Sequence, residues 1–343
     1  MKLKHYLTEY LENNKITNKD FCNRVGISPK HLIDITSGTR NISAQVIDKI
    51  SFVTDIPLAY IYEAEANYKI EREIEEYLKK NKLTVSEYLD KFNPEYLIKE
   101  NFLEFSDPSN KLSMLKDIVK FLRTVSLEKL YEIDKAIYYR NDKPELLLLW
   151  LEKGYREALN RKVKKYNSDN IKVLVDYIVE CAKKGEFNEK KLVKKFSDNG
   201  MNLIIMDDMP GCKIRGAFRV HRGIPAIYLT RNYERIADFY FALLHELAHC
   251  KSDFNKGQAN SLVSYIDYAN ESDDKVDIQA LDWMVPNNYY ENICCSEYYN
   301  INHDKNHPKA FIVYRLAKDN FIGYDSKEYN LYNPVIKQTI LRY

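Results

Sequence analysis

The chain has 343 residues, 45% of them hydrophobic and 30% charged, with a formal net charge of +2 and a mean hydropathy of −0.50. That is enough for two or three domains with cores of their own, and the near-zero net charge gives no general affinity for polyanions. No apolar run is long enough to span a bilayer, the start MKLKHYLTEYLENN is too polar for a signal peptide, and the six cysteines show no Cys-x-x-Cys spacing, so a cytoplasmic protein with reduced thiols and no membrane partner is expected.

The first chemical signal lies in ITNKDFCNRVGISPKHLIDITSGTRNISAQVIDKI, which predicts three short helices. Thr17 with Asp20 makes a capping-box-like start. Ser28 followed by Pro29 starts the second helix, with proline at its favoured first position. Gly26 sits in the turn between them, where a positive φ is easy, and Gly38 follows the second helix as a helix-ending glycine. Ser43 starts the third, with Val46, Ile47, Ile50 and Val53 on its inner face. Helix, short glycine turn and helix make a helix-turn-helix.

This head, residues 1–68, resembles Xre-type repressors and in particular the HigA-like antitoxin domain, whose continuation is similar to IPLAYIYEAEANY. The resemblance implies DNA as a partner, with the helix from Ser28 to about Ser37 in the major groove. Lys30, His31 and Asp34 are then expected on its exposed side. Lys30 suits phosphate or guanine, and His31 suits base edges; Thr39 and Arg40, just beyond, suit phosphates. Residues 1–62 hold eight Lys/Arg against six Asp/Glu, an excess too small for tight electrostatic binding by a monomer, so a homodimer on a two-fold operator is the natural arrangement.

A helical middle follows over residues 69–198. IEREIEEYLKKN, Leu83–Phe92, Leu112–Leu122 and Leu127–Tyr138 predict helices, with a break at DPSN, and LLLLWLEKGYREAL predicts a buried one. Residues 151–200 carry thirteen Lys/Arg against eight Asp/Glu, which reads first as a solvated helix face.

The strongest signal is HELAH, His245 to His249, inside the apolar run FYFALLHELAHC. Residues four apart on a helix share a face, so His245 and His249 can present two imidazoles to one metal ion, and Glu246 beside them can take a proton from water. A catalytic zinc site needs a third protein ligand. ESDDKVDIQALDWMVP supplies candidates on a second predicted helix, where Asp273 and Asp277 are four apart: one carboxylate can bind metal and the other can hold a ligating histidine by its second nitrogen. Glu271 and Asp274 compete for the role, and an acidic first turn is also what a helix dipole favours.

With IRGAFRV, IPAIYLTR, DFYFALLHELAH and IQALDWMVP in that order, residues from about 200 to 286 resemble the ImmA/IrrE family of metallopeptidases. The resemblance implies a β-hairpin, a HExxH helix and a helix bearing a glutamate ligand; counted back from Pro286, that ligand falls on Asp273 and the family's next polar position on Asp277. Aspartate for glutamate is a departure, since its carboxylate reaches one methylene less. The resemblance implies a zincin-like peptidase domain over 199–290 and a C-terminal helical cap over 291–343. His303 and His307, also four apart, imitate a second pair, but Asn306-His307-Pro308 marks a helix start, and His221 is expected as a surface residue of the hairpin turn.

The expected architecture is α+β and mostly α, with a small antiparallel sheet. The expected function is a DNA-binding transcriptional regulator with a zinc endopeptidase that cleaves a repressor or toxin–antitoxin partner. Zn²⁺ would be held by His245, His249 and Asp273, with Asp277 behind them and Glu246 as the catalytic base. The rival expectations are an antitoxin-like repressor whose metal domain is structural or sensory, and a peptidase whose head binds protein rather than DNA.

Overall fold

The computed structural model describes residues 3–37, 42–124, 126–132, 143–266, 271–294, 301 and 304–336. Contacts divide the chain into two compact units, 1–130 and 131–343.

In the first unit α1 (Leu3–Asn13), α2 (Asn18–Val25), α3 (Pro29–Thr36), α4 (Ala44–Thr54) and α5 (Leu58–Lys80) form the head. Its helix starts are set locally. The side chains of Thr17, Ser28 and Ser43 accept hydrogen bonds from the backbone N–H three residues on, at Asp20, His31 and Val46. Gly26 ends α2 at φ 71°, its N–H donating to the Cys22 carbonyl. The inward residues Phe21, Val25, Leu32, Ile35, Ile47, Ile50 and Ile61 close one apolar core. The boundary expected at 68/69 falls inside α5, which runs unbroken for 23 residues. Beyond it come α6 (Val85–Asp90), started by a full capping box of Thr84 and Glu87, then α7 (Pro94–Lys99) and α8 (Lys111–Phe121), which packs on α5 and α6. Of the helix expected from Leu127, the described residues hold one 3₁₀ turn, Leu130–Glu132.

The second unit opens with α9 (Pro144–Asn160), α10 (Asn170–Lys184) and α11 (Glu189–Asp198). Then follow β1 (Asn202–Met206), β2 (Ile214–His221), β3 (Ile224–Thr230), α12 (Ile236–Ser252), α13 (Phe254–Ala259), β4 (Leu262–Tyr265), α14 (Glu271–Met284), α15 (Asn287–Cys294), α16 (Lys309–Lys318) and α17 (Lys327–Tyr332). The strand order is β1-β3-β2-β4. The expected antiparallel sheet is corrected to a mixed one: β2 pairs antiparallel with β3 and β4, but β1 runs parallel to β3. Arg222 and Gly223, at φ 52° and 79°, form the tight turn that makes β2 and β3 antiparallel; no turn joins β1 to β3, so no turn residue in the sequence announces their direction.

Strands covered on both faces carry nearly continuous apolar runs, and β1 is buried at all five positions. One face of the sheet packs under α12: Leu203, Ile205, Phe218, Val220, Ile227 and Leu229 share its core. The other face receives α9, where Gly154 lies so close to Met206 and Tyr228 that a Cβ would come within 3.0 Å of both. Among the described residues after 290, Phe311, Ile312, Val313 and Tyr329 belong to the same core as α12. This part of the chain also finishes helices it does not belong to. Arg235, at the start of α12, makes no side-chain cap; instead Asn333 accepts from the Ala237 N–H at 2.9 Å and donates to Asp238 at 2.9 Å. The buried Arg315 donates to the Leu281 and Val285 carbonyls at the end of α14, its guanidinium 3.9 Å from the Tyr290 ring centroid.

Candidate metal centre and nucleic-acid interface

The sequence from Phe239 to Cys250 is apolar around its whole circumference, and α12 is accordingly the central helix of its unit. Such a helix buries whatever polar residues it carries. His245, Glu246 and His249 are exposed by 1%, 0% and 4%. A buried polar group without a partner is strongly unfavourable, so the partners are informative.

Each histidine spends its Nδ1 on a carboxylate: His245 on Asp277 Oδ1 at 2.7 Å, His249 on Asp253 Oδ2 at 3.0 Å. That leaves both Nε2 atoms directed together, and Asp273 brings an oxygen 3.9 Å from His249 Nε2. Among the described residues His245, His249 and Asp273 offer three donor atoms within 4.8 Å of one another. The shorter aspartate reaches because α14 packs along α12. Of the competing carboxylates, Asp274 points to solvent, and the side chain of Glu271 lies outside the described residues.

Burial lowers the affinity of both histidines for a proton, against the pull of Asp277 on one and Asp253 and Asp273 on the other, so both stand as neutral imidazoles, the form that binds metal. Both carboxylate oxygens of Glu246 are buried, and by distance and angle neither meets a hydrogen-bond partner among the described residues. Burial pushes it up to about 8, opposed by the nearby Ser264 hydroxyl and the Arg215 charge and reinforced by Asp273 and Asp277. Two neutral nitrogens and a carboxylate oxygen are a zinc donor set, with each imidazole steadied by a second carboxylate, and the Glu246 carboxylate stands beside them as a proton acceptor. The residues present therefore fit a zinc ion.

Several members of the site do not show in the sequence patterns. Ser264 on β4 stands 3.0 Å from His245 Nε2. It lies opposite Gly216 in the β2–β4 ladder, on the face turned to α12. At Gly216 a Cβ would come within 2.8 Å of Glu246 Oε1 and 2.9 Å of the Tyr228 carbonyl, so glycine is what admits the glutamate. Arg215 approaches Asp277 at 3.9 Å, and Lys318 donates to its other oxygen at 2.8 Å. Only Asp253, one helical turn beyond His249, had a legible spacing.

His307 and His221 take other partners. His307 stacks on Tyr289 at 4.0 Å and faces Asp304 at 3.4 Å, while His303 lies outside the described residues. His221 is corrected from a surface turn residue to the last residue of β2, half-buried, with Nε2 2.5 Å from the Tyr228 hydroxyl.

On α3 the inward direction is set by Leu32 and Ile35. Lys30 and Ser37 lie opposite and are exposed, as expected of Lys30. His31 turns to the side and Asp34 is half-buried, which corrects their expected exposure; between Lys30 and Ser37 stands Ile33, 63% exposed. Thr39 and Arg40 lie outside the described residues. Among the described residues no helix is long and apolar enough to cross a membrane.

No curated protein and no solved structure matches this chain. A family model described as helix-turn-helix matches residues 7–61, the span from α1 into α5, and supports a DNA-binding regulator.

Proposed function

We propose that the chain is a DNA-binding transcriptional regulator whose second unit is a zinc-dependent endopeptidase of the ImmA/IrrE kind, cutting a repressor or other partner protein. The observation that carries this is Glu246: fully buried, with neither oxygen hydrogen-bonded among the described residues, beside two histidines and an aspartate whose donor atoms converge. A purely structural zinc site has four protein ligands and no use for such a carboxylate. His245, His249 and Asp273 would hold the ion, and Asp277 and Asp253 would keep the imidazoles turned toward it. Zinc bound there supplies Lewis acidity to a water and to a peptide carbonyl. Glu246 takes a proton from the water and returns it to the leaving amine nitrogen; a carboxylate poised near neutrality suits both transfers. The head would place this chemistry at an operator, Lys30 and Ile33 facing the major groove, with dimerisation supplying the second half-site.

The test compares cells carrying the wild type and Glu246→Gln by profiling newly formed protein N-termini. The glutamine variant keeps zinc and loses cleavage, so N-termini present only with the wild type are expected. Identical profiles from two zinc-loaded proteins would overturn the peptidase reading in favour of a structural or sensory metal domain.

A further inference from the structure

The carboxylate that steadies His245 is itself held from outside the helices that carry the metal set. Asp277 accepts at Oδ1 from His245 Nδ1 and at Oδ2 from Lys318, the last residue of α16, at 2.8 Å. Arg215, from β2, is the other cation facing it, at 3.9 Å from Oδ1, beyond hydrogen-bond range. Both cations also lie over the ring of Phe241, Lys318 at 4.5 Å and Arg215 at 5.4 Å from its centroid. Phe241 stands one helical turn before His245 on α12, so Lys318 is fixed at two points, a carboxylate and a ring, both belonging to the wall of the site.

We propose that Lys318 is a positioning residue of the metal centre, acting through Asp277 on His245, and that α16 is thereby part of the site rather than a cap beside it. This rests on the metal-centre reading. The geometry gives Lys318 a specific task. A carboxylate bonded at one oxygen only is free to turn about its last torsion, and His245 Nδ1 would then lose a fixed acceptor. With Lys318 on Oδ2 the carboxylate plane is set, the Nδ1–H is held, and Nε2 keeps its direction toward His249 and Asp273. Arg215, 3.9 Å from Oδ1 and so beyond hydrogen-bond range, balances charge without setting that plane.

The experiment measures Zn²⁺ affinity of the full-length protein by competition with a chromophoric chelator, alongside the visible absorption of the Co²⁺-loaded form. Wild type, Lys318→Met and Lys318→Arg are compared, with Lys318→Gln as a milder variant should the methionine protein fail to fold. Lys318→Met is expected to bind zinc about 10-fold more weakly with an altered Co²⁺ spectrum and an unchanged metal-free melting temperature; arginine, which restores a charged donor, should recover most of the affinity. If Lys318→Met and Lys318→Gln bind zinc as the wild type does, the inference is overturned while the metal centre stands. A lowered metal-free melting temperature with unchanged zinc affinity would also overturn it, making the contact a fold-holding ion pair. A wild type that takes up no zinc would overturn both readings together.

Discussion

In the head, the starts of α2, α3 and α4 are each fixed by a hydroxyl three residues away, at Thr17, Ser28 and Ser43. In the candidate metal centre, His245 depends on a residue 32 positions on, that residue on one 41 further, and the helix that carries His245 is capped from 96 positions away. The contrast is one of range. A structure held by local bonds can be read along the chain and broken at one end at a time. A site held by distant bonds is sensitive to substitutions that look remote from it.

That difference orders the expected effects of mutation. Gly216→Ala should be the most damaging single methyl group in the second unit. Its Cβ would meet Glu246, Leu229 and a strand carbonyl at 2.8–2.9 Å, and overpacking against backbone destabilises by about 3 kcal/mol. Urea unfolding would show it, and a wild-type midpoint would mean that the sheet does not set the position of Glu246. Asn333→Ala should lower stability by about 2 kcal/mol, since it removes both a helix cap and a donor to the half-buried Asp238. Unchanged stability in that variant would put the start of α12 under local control after all.

His221 gives a pH test. Burial, with the neighbouring Arg219 charge, lowers it from 6.5 to about 4. The folded protein thus holds this histidine neutral where the unfolded chain would protonate it. Its contribution is present in full above pH 6.5 and is lost as pH falls toward 4. Allowing for partial exposure, wild type should lose about 2 kcal/mol more than His221→Gln between pH 7 and pH 4. Parallel losses in the two proteins would contradict the burial argument. The smallest effect belongs to the locally built head: Ser28→Ala should reduce stability by about 1 kcal/mol and weaken binding of the native upstream DNA by fraying the first turn of α3. An unchanged gel shift at matched salt would show that the turn holds without its cap.

The range of the contacts also explains what the sequence disclosed. The helix starts at Ser28 and Ser43, the glycine end at Gly26 and the HELAH face are short-range patterns, and each has its own physical signature within about four residues. The pairing of Asp277 with His245 came within reach because two carboxylates were spaced one turn apart on a predicted helix. The direction of β1, the closeness of Gly216 to Glu246 and the reach of Lys318 were not legible, because nothing local requires them; packing of β1 beside β3 and of α16 against α12 creates them. On α3 polarity favours His31 as the exposed residue, whereas helix phase favours Ile33. Leu32 and Ile35 fix that phase and turn His31 aside.

The most direct measurement is the zinc content of full-length protein purified without chelator, for wild type and for His245→Ala, His249→Ala, Asp273→Ala and Asp274→Ala. The account predicts about one zinc per chain in the wild type and in Asp274→Ala, whose carboxylate faces solvent, almost none in either histidine variant, and a strongly weakened site in Asp273→Ala. A wild type that holds no zinc, or an Asp273→Ala protein that binds as tightly as the wild type, would contradict it.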